Sequence, residues 1–411
     1  NRLLFLWFRN PLEGDFSVIG YKTLRLSFGL RCSPATLMLA LQKILIIDVD
    51  DDDEETVMLK KQIFNTIYVD NGSISANSVD NLTQNYSKLT KIFSPYQMGL
   101  QQFSTNCVEL QTTVDAECGT ETESEVKVLG MRWDRIKDTL KPIQINLDRS
   151  ANTKRLILGS INAVYDTLNI YAPVLLRSKL FLQGLQLDRS LNWDTVISSD
   201  LQRQWSNIAK QANSTPQLEL NRFVGRRNGT FELICFTDAS RDAYGCVVYI
   251  KDVDNNKVNF LCAKNRLLNR GCERKTIPAL EFLAMYHGVE TVVECYNELA
   301  GESVVLPINI VRLQLYTDSM VSLCWLDSHS QKFSKTQKLS VFIRNRLRML
   351  DELCNKISCT FYHVAGATNP ADALTRPISY SRLKSTCFLT GPNFLTDGTH
   401  KSDFSVTVPN P

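Results

Sequence analysis

Apolar and polar positions follow two different periods along this chain, and the change from one to the other divides it. Over residues 153–165, 173–187 and 193–212 apolar residues recur at the three- and four-residue spacing of helices, so three successive helices are predicted. The polar stretch QANSTP at 211–216 closes this block, and the pattern after it becomes β. Residues 231–237, 243–251 and 258–263, rich in Val, Tyr and Phe, predict three strands. Thr276 then caps a long helix with Pro278 in its first turn, where a missing amide proton costs little. Residues 314–317 and 357–364 predict a fourth and a fifth strand, with helical patterns at 320–326 and 336–353 between them. Asn369-Pro370-Ala371-Asp372 starts a last short helix. This order describes one α/β domain of about 150 residues.

The first half is less regular. Residues 1–8 are apolar but short and carry Arg2, which argues for a piece of a core and against an export signal. An extended stretch at 24–29 runs into a turn, and Ser33-Pro34 opens a helix through Leu37, Leu41 and Leu45. The acidic run at 48–55 repels itself and predicts a solvated loop. Residues 62–69 end at Asn71-Gly72, a strong turn signal, and predict a hairpin. Polar sequence at 106–125 reads as a separator, and 126–140 predicts two short strands around a turn.

With 411 residues the chain is too long for one ordinary domain. Its 44% hydrophobic and 22% charged residues suit globular structure, and no apolar run approaches the roughly 20 residues that span a bilayer. The 12 cysteines form no CxxC pair and only 4 histidines are present, which excludes a zinc ribbon and a C2H2 site. Reduced thiols and an intracellular setting are expected, either a cytoplasmic particle or the nucleus. The net charge of +3 permits nucleic-acid binding, and the basic residues gather in the second half: Arg222, Arg226 and Arg227, then Arg266, Arg270, Arg274 and Lys275, then the run 332–348. Beginning with Asn1, the chain reads as a piece of something longer.

Four acids stand where the pattern predicts burial: Asp238 and Asp318 at strand ends, Glu281 in the second turn of the long helix, and Asp372 in the first turn of the last helix. A buried carboxylate needs a partner, a hydrogen bond or a metal. Each alone has a plain alternative, since Asp238 could close an Asx-turn and Asp372 could serve as a helix-dipole partner. Together they make an all-oxygen ligand set suited to two hard Mg²⁺ ions, as phosphodiester hydrolysis uses.

The segments FTDASRDAYGCVVY, KTIPALEFLA, YTDSMVSLCW and HVAGATNPADALTR resemble, in that order, the ribonuclease H motifs of Bel/Pao retroelements. The resemblance implies that Asp238 bridges two Mg²⁺ ions (Mn²⁺ as a substitute), that Glu281 and Asp318 hold one, and that Asp372 completes the water-binding site. It implies that Gly245 permits close strand approach, and that Lys332, Lys335, Lys338 and Arg344 meet the backbone of an RNA–DNA hybrid. His363 in FYHVAG matches a strand, not the histidine loop of cellular and retroviral ribonucleases H.

Upstream, LRLSFGLRCSP, IYVDNG and VKVLGMRWDRIKDTLKP resemble reverse-transcriptase motifs, the second being the YVDD turn with Asn71 in place of its second acid beside Asp70. TKRLILGSINAVYDTLNIYAPVLLRSKLFLQGL resembles the family's thumb-like helices, and residues 383–395 its stretch before integrase. The expected organisation is therefore a multidomain α/β and α+β chain: a partial reverse-transcriptase palm (1–148), a helical thumb or connection (149–220), a ribonuclease H-like domain with a mixed five-stranded sheet (221–378) and a linker (379–411). The expected function is hydrolysis of the RNA strand of hybrids beside an inactive polymerase, with the rest of the polyprotein as a partner and no membrane. The alternative is a silent nucleic-acid-binding relic. A peptidase reading, attached to the family's helical region, lacks any Asp-Thr-Gly or Asp-Ser-Gly.

Overall fold

The computed structural model describes the chain apart from residues 1–3, 24, 27–28, 50–51, 70, 120, 227, 270–274, 302–303, 305–306, 331–338, 355–356, 399–403 and 409–411. The chain folds as two compact units, Asn1–Phe103 and Ser104–Pro411. Among the described residues no helix is long and apolar enough to cross a membrane.

In the first unit β1 (Leu4–Asn10) and β2 (Asp15–Lys22) form an antiparallel hairpin. Gly14, at φ 82°, supplies the left-handed residue that closes its turn. Helix α1 (Ser33–Gln42) forms at the predicted Ser-Pro start and passes into a π-helical turn, Lys43–Ile47. Two expectations fail here. The acidic run ends as a cap, because Asp53 Oδ1 accepts the Thr56 amide at 2.7 Å and opens α2 (Glu54–Thr66). Glu54 and Glu55 then favour the positive helix terminus instead of repelling the chain into a loop. The expected hairpin at 62–69 is mostly this same helix, since Leu59 and Ile63, four apart, are buried together with Leu41, Leu45, Leu89 and Phe93. A single bridge between Tyr68 and Asn71 remains of it. Helix α3 (Val79–Phe93) completes the unit.

In the second unit the expected polar separator contains a helix, α4 (Val108–Cys118). Strands β3 (Glu125–Val128), β4 (Met131–Asp134) and β5 (Thr139–Lys141) follow, then α5 (Lys154–Asn162), α6 (Ala172–Leu187), α7 (Ser199–Asn213) and β6 (Leu220–Asn221). The four strands pair in sequence order. The remaining elements are β7 (Thr230–Ala239), β8 (Ala243–Asp252), β9 (Lys257–Leu267), α8 (Ile277–Ala300), β10 (Asn309–Thr317), α9 (Met320–Ser330), α10 (Val341–Cys354) and β11 (Cys359–His363). Short 3-10 turns at Gly366–Thr368 and Pro370–Leu374 precede α11 (Tyr380–Lys384), α12 (Phe394–Asp397) and β12 (Ser405–Val408).

The large sheet has six strands in the order β12-β11-β10-β7-β8-β9, not five. β7 is antiparallel to β8, and β10 runs parallel to both β7 and β11. Along β7 the pleat sends Phe231, Leu233 and Cys235 to one face, against Phe282 and Val289 of α8, and Ile234 and Phe236 to the other. The second face is covered by α5, α6, α7 and the last segment, through Tyr171, Leu182, Phe388 and Leu395. Covered on both faces, the central strands read as continuous apolar runs. Residues 379–411, expected as linker, instead supply α11, α12 and the edge strand β12, because Phe388, Leu395, Val406 and Val408 bury against this sheet.

Candidate catalytic site

Asp238, the next-to-last residue of β7, lies opposite Gly245 of β8. A Cβ at Gly245 would stand 2.8 Å from the Lys264 carbonyl oxygen and 3.0 Å from Leu374 Cβ, so the close packing expected of this glycine is present. β10 ends at Thr317, which places Asp318 at the same end of the neighbouring parallel strand. The Val364 amide donates to the Thr317 carbonyl at 3.0 Å and brings the chain after β11 beside it. Asn369 fixes the last turn: its Nδ2 donates to the Thr237 carbonyl at 2.9 Å, while its Oδ1 accepts the Ala371 amide. Asp372 is thereby carried to the end of β7, in the first turn of Pro370–Leu374. Glu281 reaches the same region from the second turn of α8.

The four acids act on one another electrostatically. Asp238 is buried, and its Oδ2 accepts a short hydrogen bond from the Thr375 hydroxyl. Burial pushes its carboxyl up to about 7; the charges of Asp318 and Asp372 add to this, and Thr375 and Arg376 oppose it. Burial also raises Asp318, with Asp372 adding, while its own backbone amide, His363 and Arg376 pull it down. Glu281 is raised by burial and by Asp318, against a hydrogen bond with Ser319. Asp372 pairs with Arg376, Nε to Oδ1 at 3.0 Å. Asp318 Oδ1 is buried without a hydrogen-bond partner. Among the described residues, no group of three or more His, Cys, Asp or Glu side chains is arranged to hold a metal ion. The acids are thus near enough to repel, but they do not form a finished cage.

Thr375, Arg376 and Ser319 escaped the sequence reading. The available signal was spacing, since Thr375 and Arg376 stand three and four residues after Asp372, on the helical face it shares. His363 sits at the end of β11 opposite Thr317, as its strand context predicts, yet close enough to act on the Asp318 charge.

Of the basic residues expected to meet nucleic acid, Lys332, Lys335 and Lys338 lie outside the described residues. Arg344 is half-buried on α10, and its Nε is enclosed without a hydrogen-bond partner. Its neighbour Arg346, not singled out from sequence, lies over the Phe342 ring at 3.5 Å, and Lys275 Nζ lies over the same ring at 3.7 Å. Asp70 also lies outside the described residues, and Asn71 is exposed. Asp15 begins β2, and its Oδ1 accepts the Ser17 amide at 2.9 Å.

Residues 153–319 match the Pao retrotransposon-like RNaseH-like domain family. No curated protein sequence matches the chain. Among solved structures, a foamy viral protease-reverse transcriptase in complex with dsDNA is 14% identical with a TM-score of 0.51, covering 84% of this chain and 61% of its own. The dRH form of the foamy viral protein, also in complex with dsDNA, gives 0.50 at 14% identity, over 84% of this chain and 51% of its own. RNase H1 from the halophilic archaeon Halobacterium salinarum NRC-1 is matched over its whole length and 38% of this chain, at 14% identity and a TM-score of 0.24. The chain spans about three fifths of the first foamy viral structure, and likeness at this identity establishes fold alone.

Proposed function

We propose that this chain, which carries a Pao retrotransposon-like RNaseH-like domain over residues 153–319, hydrolyses the RNA strand of RNA–DNA hybrids. The observation that supports this reading most is the mutual repulsion of Asp238, Asp318 and Asp372 at one end of two adjacent parallel strands, with Asp318 Oδ1 buried and unpaired. The donor set is all oxygen, and an orphaned buried carboxylate oxygen beside other raised acids fits a hard divalent cation such as Mg²⁺ or Mn²⁺. Asp238, Glu281, Asp318 and Asp372 would hold two such ions, which supply charge for activating water and stabilising a leaving oxygen. The chain's own residues prepare that site. Thr375 holds Asp238 in place, Ser319 steadies Glu281, and the Asp372–Arg376 pair balances charge until a cation arrives. Arg376, two-thirds exposed, is free to turn toward a phosphate once Asp372 is otherwise engaged.

Nucleic acid is the partner this reading requires, and the fold is one that a foamy viral protein holds against dsDNA. A palm-like and a thumb-like region ahead of the ribonuclease region, and an inactive polymerase beside the nuclease, belong to the same proposal. So do membership of a longer polyprotein and an intracellular site of action. A silent binding relic has one observation in its favour, the lack of an assembled three-acid cluster among the described residues. The deciding experiment is cleavage of a labelled RNA–DNA hybrid by the chain with Mg²⁺ or Mn²⁺, beside Asp238→Asn. Metal-dependent cleavage by the wild type alone is expected. Equal products, or none from either protein, would leave the nuclease reading without support.

A further inference from the structure

Edge strand β9 meets helix α8 through two thiols: Cys262 Sγ and Cys295 Sγ are 3.8 Å apart across 33 residues of chain. Both are half-buried. By contrast Cys235, Cys246, Cys354 and Cys359 are sealed in the interior. Cys262 lies where the β8–β9 register shifts, next to a bulge that leaves the edge strand room to adjust. The pair is flanked by Lys264, whose Nζ meets Glu294 at 2.5 Å.

We propose that Cys262 and Cys295 are a redox modification site, closing a reversible disulfide between β9 and α8 by exchange with a small-molecule disulfide. The thiolate of Cys295 attacks one sulfur of the small disulfide, forms a mixed disulfide and releases one small thiolate. Cys262 then gives up its proton to solvent and attacks the Cys295 sulfur, releasing the second small thiolate. Two protein thiols are oxidised and one small disulfide is reduced to two thiols. The order of attack follows from the surroundings. The contact with Cys262 holds the Cys295 thiol below its ordinary value, with Lys264 helping, while the same contact and burial push Cys262 up. Thiolate character decides which thiol attacks. Closing the remaining gap needs a displacement of about 2 Å, within reach of side-chain rotation beside a bulge.

The test incubates the full chain with oxidised glutathione, alkylates the remaining thiols and maps the peptides. Expected is a peptide joining Cys262 to Cys295, two hydrogens lighter than the separate parts. A rise in melting temperature on the order of 5–10 °C should accompany it, because the bond closes a loop in the unfolded chain. Dithiothreitol should reverse the rise, and both Cys262→Ser and Cys295→Ser should lack it. The two cysteines found separately alkylated or separately glutathionylated would overturn the proposal. So would a thermal shift that survives in the serine variants. The peptide map of the wild type decides the bond even where a variant folds poorly.

Discussion

A carboxylate at the centre of the site is held in a state its surroundings oppose. Asp238 is 4% exposed, faces two further acids, and is pushed up to about 7. Its folded value lies above the unfolded one, so between about pH 4 and 7 the folded protein holds a proton that the unfolded chain has lost, and stability falls as pH rises through that window. In the presence of a chelator, Asp238→Asn is therefore expected to raise stability at pH 8, by roughly 4 kcal/mol at most, and to leave it nearly unchanged at pH 4. Urea melts at the two pH values check this; a lower midpoint for the variant at pH 8 would show that the charge is already compensated. Thr375→Val should act in the opposite sense, since it removes the donor to Asp238 Oδ2 inside a closed environment. A loss of about 1–2 kcal/mol at pH 8 is expected by the same measurement, and no loss would deny the hydroxyl its holding role.

At the scale of elements, the edge strand β12 is the clearest addition to the predicted sheet. Val406 and Val408 are 4% and 7% exposed against the face that also holds Phe361 and Val248. Val406→Ala should cost about 1–3 kcal/mol in chemical unfolding, as truncation of a packed aliphatic side chain does. A cost near zero would mean that the strand pairs without being packed. The strand was not read from SVTV because four residues are too short a run to tell strand from coil, and only the waiting edge of β11 makes them a strand. The converse error occurred at 62–69, where Asn71-Gly72 outweighed the helical spacing of Leu59 and Ile63. Helix α10 carries the other prediction at this scale. Arg346, half-buried over the Phe342 ring, adds a cation to α10, and cations on such a helix meet nucleic-acid phosphates. Arg346→Glu should weaken hybrid binding and flatten its dependence on salt concentration, and an unchanged slope would place the binding surface elsewhere.

For the whole molecule, the two units bury separate cores, the first around Leu45 and Leu59 and the second around the large sheet. Residues 104–411 should therefore unfold cooperatively when produced alone and retain any hybrid cleavage the full chain has. A fragment that is soluble but melts without a transition would contradict this. The full chain, and its Asn71→Asp variant, should add no nucleotides to a primer on an RNA template. Asn71 sits on a single-bridge turn after a helix, and Asp15, the acid nearest before the LRLSFGLRCSP segment, is engaged with the Ser17 amide. Template-dependent extension by either protein would show that polymerase acids were misplaced.

By itself the sequence determined the elements that carry the acids: the strand with Asp238 near its end, the strand that Asp318 follows, the helix bearing Glu281, and the turn opened by Asn369. It could do so because alternating or unbroken apolar runs and capping residues are local signals, readable without knowing what lies across the sheet. Only the tertiary structure decided which groups hold those acids. Thr375 reaches Asp238 across 137 residues, Asn369 ties itself to Thr237 across 132, and Arg376 acts on three carboxylates at once. Apart from the Asp372–Arg376 pair, four residues apart, such contacts depend on burial and on charge summed through space, and no window along the chain contains both partners.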